Sequence, residues 1–131
     1  MSDLTLWSPR VLSVLRLVAG LLFLEHGLMK LVHFPIAQPG APTPLPPLMM
    51  AAAWIEIVGG ALIALGLFTR VAAFVCSGEM AAAYFIAHLP KSVWPGINQG
   101  GEALLYCFLF FYLVFAGAGS WSLDRVIRKA E

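Results

Sequence analysis

Four apolar stretches, each long enough to cross a bilayer, occupy most of this chain: 9–34, 48–68, 69–89 and 102–118. A hydrocarbon core of about 30 Å takes about 20 residues of helix. The fold expected is therefore all-α: a single domain over 1–131, an integral membrane four-helix antiparallel bundle.

Composition closes off the alternatives. The apolar share is 60% and the charged share 11%, against about 45–50% and about 25% in soluble domains. A chain this short buries only about two-thirds of its surface on folding, so a soluble version would expose an apolar coat. A formal net charge of +1 excludes a nucleic-acid binder working through a strong basic field. The partner expected instead is the lipid bilayer. The first stretch exceeds the ~7–15 apolar residues of a signal peptide and contains Arg16, Glu25, His26 and Lys30, so it is expected to be retained.

The connections differ. The loop 35–47 holds Pro35, Pro39, Pro42, Pro44, Pro46 and Pro47, residues without an amide donor that favour extended chain. The loop 90–101 contains Trp94, Pro95 and Gly96, and the second and third stretches meet at a tight turn over Gly66–Arg70. Arg10, Arg70, Arg125, Arg128 and Lys129 collect on one side, Lys91 and the nearby Lys30 on the other. The bias toward cytoplasmic basic residues puts the N and C termini in the cytoplasm and both long loops outside. Cys76 and Cys107 differ in expected depth by roughly 10 Å, too far for a disulfide spanning at most ~7 Å between α-carbons.

Against this apolar background stand Glu25, Glu56, Glu79 and Glu102, one in each stretch. A charge at membrane depth costs several kcal/mol and usually faces the bundle interior. Counted by helical rise, Glu25, Glu56 and Glu79 share a level about 12–15 Å deep, with Glu102 and His88 near the outer mouth. At about 100° per residue, Glu25, His26, Met29, Lys30 and His33 fall on one half of the first helix, with Arg16 at its edge. Glu56 shares a face with Ala52, Ala53, Gly59 and Gly60, and Glu79 with Ala72, Cys76, Ala82 and Ala83, small residues that let membrane helices approach. Tyr106 lies one turn below Glu102. His33 reads as an interfacial residue. A structural role for the acids, as glue to Arg16, Lys30 and the histidines, is weak compensation, since such membrane bonds average about 0.6 kcal/mol.

Three chemistries suit this set. A metal ion would take Glu25, His26, Glu56 and Glu79, although the Glu-x-x-His spacing of di-iron bundles is missing. Proton exchange with a lipid-soluble quinone would use His26, Glu56 and Glu79 as catalytic groups. Arg16, Glu25, Lys30, His88, Glu102 and Tyr106 would then bind the substrate, with Tyr84 and Trp54 as aromatic walls. No haem, flavin or iron–sulfur motif is present, so electrons would come from a redox partner. Transport of a cation, proton or small polar solute is the third, and would call for a homo-oligomer.

The order Arg16, Gly20, Phe23, His26-Gly27, Lys30, then Glu56, Gly59-Gly60 and Gly66-Leu67-Phe68-Thr69-Arg70, is distinctive. So are Gly101-Glu102-Ala103-Leu104-Leu105-Tyr106 and the close Gly117-Ala118-Gly119-Ser120-Trp121-Ser122-Leu123-Asp124. Over essentially its whole length the chain resembles the DoxX family of small bacterial four-helix membrane proteins. The resemblance implies a relation to the membrane subunit of thiosulfate:quinone oxidoreductases, a bacterial inner-membrane location, and functional weight on Arg16, His26, Lys30 and Glu56. The function expected is a quinone-linked oxidoreductase subunit or accessory. The alternatives are a binding or transport protein and a structural subunit of a membrane complex. Asp124 reads as the N-cap of a short amphipathic tail with Arg125, Arg128 and Lys129.

Overall fold

A computed structural model of the chain describes residues 3–130, with no strand among the described residues. Helix α1 runs Asp3–Leu31, α2 Pro47–Leu65 and α3 Thr69–Ala83. The last continues into a single wide turn over Tyr84–His88, where the Leu89 amide reaches back five residues to Tyr84 O at 2.9 Å. A short α4 (Pro95–Asn98), α5 (Gly101–Ala116) and α6 (Leu123–Ala130) complete the chain. The segments Asp3–Leu31, Pro47–Leu65 and Thr69–His88 are long and apolar enough to cross a membrane. The fourth, α5, is apolar but has 16 residues, a length of about 24 Å, because Gly117 at φ 77° ends it two residues before the expected limit. At the other end of the chain, α1 begins six residues before Pro9, which sits inside the helix.

Helices in lipid gain little from the hydrophobic effect and associate through close packing and hydrogen bonds. Both devices occur here. Between α1 and α2 the backbones touch: a Cβ on Gly20 would lie 2.5 Å from Ala64 N, and one on Gly60 would lie 2.7 Å from Leu24 N. Between α1 and α5 the spacer is aromatic. Phe23, fully buried, sits with its ring centroid 5.3 Å from Tyr106 and 4.8 Å from Phe110, contacts worth about 0.5–1.5 kcal/mol each beyond their area. Ser77 Oγ donates to Cys107 O at 2.7 Å and ties α3 to α5. Cys76 and Cys107 are both free thiols. Leu17, Leu21, Phe74, Phe108 and Phe115 point outward.

The chain ends tie the termini side together. Gly66 adopts φ 69° and closes α2, with the Leu67 amide returning to Leu62 O at 2.9 Å, the bonding of a Schellman stop. The segment after α5 then runs back over α1: Ser120 N donates to Pro9 O at 3.1 Å and Trp121 N to Ser13 Oγ at 2.9 Å. Asp124 departs from the expectation of an N-cap for its own helix. Ser122 Oγ caps α6 by accepting from Arg125 N at 3.2 Å. The Asp124 carboxylate instead accepts from Phe68 N at 2.7 Å and Thr69 N at 3.0 Å, which makes it the cap of α3. The tertiary fold brings it to a helix start 55 residues away in sequence.

Candidate functional site

On the loop side, α2 and α3 frame a cavity of about 530 Å³. Its walls are apolar, from Leu48, Met49, Ala52 and Ile55 on α2 to Val75, Met80 and Ala83 on α3 and Ile86 in the wide turn after it. Its polar groups are His26, Lys30, Glu56, Glu79, His88, Glu102 and Tyr106, joined by Gln38 and Gln99 from the loops.

At the floor, Lys30 Nζ donates to both carboxylate oxygens of Glu56, at 2.6 and 2.8 Å. The Glu56 residue is fully buried and is held there by the α2 face that also carries Ala53, Gly59 and Gly60. Breaking a buried pair by removing one partner costs about 3–5 kcal/mol, so Lys30 and Glu56 depend on each other. The Glu79 carboxyl adjoins that of Glu56, and its Oε2 is buried without a hydrogen-bond partner. Gln38 Oε1 is a second buried acceptor left unpartnered on the cavity wall. At the mouth, His26 Nε2 lies 2.7 Å from Glu102 Oε1, a solvent-facing pair of the kind worth about 0–1 kcal/mol. The Tyr106 ring stands edge-on to His26 at 5.9 Å.

His88 is set by a residue that sequence reasoning missed. Its Nδ1 bonds Asn98 O at 2.9 Å. The fully buried Asn98 also donates to Ser92 O at 2.8 Å and to Tyr84 OH at 3.2 Å, and accepts from Gly100 N at 2.7 Å. The wide turn at the end of α3 presents Tyr84 and His88 to this loop, a backbone form frequent at functional sites. An Asn between Pro95-Gly96 and Gly100-Gly101 was the only sequence signal available for that role.

Four expected residues lie outside the cavity lining: Glu25, Arg16, Trp54 and Tyr84. Glu25 is exposed on the far side of α1: at about 100° per residue it is turned about 160° from the buried Gly27. Arg16 belongs to the termini side, about 21 Å along α1 from Lys30. Its Nη1 donates to Ala118 O at 2.6 Å and its Nη2 to Trp121 O at 2.9 Å. Trp54 faces outward, at 53% exposure. Among the described residues no three His, Cys, Asp or Glu side chains gather as around a metal ion. The expected set Glu25, His26, Glu56 and Glu79 is not assembled, because Glu25 faces away and His26 turns to Glu102.

The arrangement is thus amphiphilic: a charged floor, two unpartnered acceptors and long apolar walls. Residues 11–89 match the family model for DoxX. An uncharacterized protein of Haemophilus influenzae is 44% identical over 133 residues, covering 98% of this chain and 99% of the relative. An uncharacterized membrane protein of Mycobacterium tuberculosis is 32% identical over 137 residues, covering 92% of this chain and 83% of the relative. No solved structure matches.

Proposed function

The chain belongs to the DoxX family of membrane proteins, and on that premise we propose that its loop-side cavity binds the headgroup of a membrane quinone and exchanges protons with it. In this reading it is the membrane subunit or accessory of a quinone-linked oxidoreductase. Reduction of a quinone to its quinol takes two electrons, supplied by a partner redox protein, and two protons. Glu79, beside the ion pair of Glu56 with Lys30, passes those protons on one at a time and is resupplied through the mouth. An ionised carboxylate only accepts hydrogen bonds, so adjoining carboxyls can be bonded to each other only while holding a proton between them. His26 and Glu102 form the path from the mouth.

The observation that carries this reading is the buried, unpartnered Glu79 Oε2 on the floor of a cavity whose walls are apolar. A buried acceptor without a donor is costly, by about 1–3 kcal/mol. A quinol hydroxyl removes that cost, and the apolar walls take the ring. Arg16 and Glu25 have no part in binding. The excess of Arg10, Arg70, Arg125, Arg128 and Lys129 on the termini side supports a multi-pass inner-membrane protein with both termini cytoplasmic and the cavity opening outward.

The test is titration of the purified protein in lipid nanodiscs with a short-tailed quinol. Saturable binding is expected, weakened about 10- to 100-fold in Glu79→Gln, the loss of one charged hydrogen bond. Absence of saturable binding overturns the proposal. Binding of a cation or small polar solute with the same dependence on Glu79 and Glu56 would assign the cavity to transport instead.

A further inference from the structure

The termini side holds a second concavity, of about 750 Å³, lined by Arg70, Arg125, Arg128 and Lys129. Its acidic member, Asp124, is already committed through both oxygens to the amides of Phe68 and Thr69. Arg70 Nη1 is committed likewise, to Val114 O and Phe115 O at 2.7 Å each. The Arg125 and Lys129 side chains are exposed and make no ion pair among the described residues. Among the described residues four cations, Arg70, Arg125, Arg128 and Lys129, face the single carboxylate of Asp124, so net positive charge is left facing the concavity.

Next to this charge is apolar surface. Phe68 and Val71, 65% and 69% exposed, line the concavity and also line an apolar groove of about 530 Å³ between α2 and α3. That groove runs on past Leu62, Val58 and Trp54. On α6, Val126 and Ile127 are exposed at 62% and 45% beside the basic residues, the pattern of a helix lying in a membrane interface. A basic pocket opening directly onto an apolar groove has the shape and polarity of one phospholipid.

We propose that this concavity binds the phosphate of an anionic phospholipid, with Arg125, Arg128 and Lys129 around the headgroup and an acyl chain in the α2–α3 groove past Phe68 and Val71. Anionic lipid is favoured over zwitterionic lipid because each basic residue near a charged surface contributes about fivefold to binding.

The experiment is lipid retention by the full-length protein, exchanged into mixed phosphatidylglycerol and phosphatidylcholine, followed by delipidation and native mass spectrometry. Wild type should keep phosphatidylglycerol selectively. The triple variant Arg125→Gln, Arg128→Gln, Lys129→Gln should lose about a hundredfold of that preference, and the variant Arg125→Lys, Arg128→Lys should keep most of it. Millimolar inorganic phosphate should fail to displace the lipid. Equal retention of both lipids by wild type overturns the proposal whether or not the triple variant folds. So does an unchanged preference in a folded triple variant. Displacement by inorganic phosphate would make this a site for a soluble anion and would equally contradict it.

Discussion

At the termini side Arg16 is 3% exposed and gives its guanidinium to the carbonyls of Ala118 and Trp121. At the loop side Lys30 gives its ammonium to the carboxylate of Glu56, beside a Glu79 oxygen with no donor. Both cations are on α1, Arg16 buried and Lys30 half-buried, yet their surroundings differ. Around Arg16 there is no room: a side chain on Gly66 would collide with its guanidinium and come within 2.6 Å of Ser122 Cβ. Around Lys30 a cavity of about 530 Å³ remains. A buried charge that gives its terminal nitrogens to backbone carbonyls in filled space holds segments together, even with Arg16 Nε left unpartnered. A half-buried charge facing acid side chains and space can meet a ligand.

Mutations that separate these roles test the comparison. The largest effect is expected at Arg16: Arg16→Met removes two charged hydrogen bonds, about 1.5–3 kcal/mol each. Thermal unfolding in detergent should show a loss of about 3–6 kcal/mol, while quinol affinity per folded molecule stays unchanged. Lys30→Met should cost about 3–5 kcal/mol by stranding Glu56. Unlike the Arg16 loss, that cost should be largely recovered in the double variant Lys30→Met, Glu56→Gln, which still fails to bind quinol. A double variant that regains binding would place the ion pair outside the site.

Asp124 gives a smaller, pH-dependent effect. Burial pushes its carboxyl upward, but the bonds from Thr69 and Phe68 and the charge of Arg128 outweigh this and hold it below its ordinary value. Its folded value is thus lower than its unfolded value of about 3.9, so its contribution is complete above that unfolded value and fades as pH falls through the folded one. Asp124→Asn should cost about 1 kcal/mol at neutral pH, with the gap to wild type closing on acidification below about pH 4. A gap that persists there would mean the carboxylate charge is not what caps α3. The smallest effect is expected at Glu25: Glu25→Gln should change stability by less than about 0.5 kcal/mol and leave quinol binding intact.

These expectations also mark what was legible in the sequence. The helices and the placement of Glu56 and Glu79 could be read from it, because each acid shares a helical face with small residues and such faces are where membrane helices meet. Glu25 could not be placed as well. It adjoins His26 in sequence, but one residue turns a helix by about 100°, and here that step crosses from the cavity to the outside. Arg16 was hidden for another reason: its partners are backbone carbonyls more than 100 residues away, and a carbonyl carries no residue identity. Asp124 showed the right chemistry, a cap, on the wrong helix, since capping preference says nothing about which amides the fold brings near. Asn98, in a loop of glycines and prolines, had no periodicity to mark it.

Uptake of a quinone headgroup by the loop-side cavity is read out by photolabelling the protein in nanodiscs with an azidoquinone and mapping the labelled peptides. Labels should concentrate at 48–56 of α2 and at 79–88, the end of α3 and the wide turn after it, and be displaced by excess quinol. Labels spread evenly over the outward faces of α1 and α5, and indifferent to quinol, would contradict that uptake.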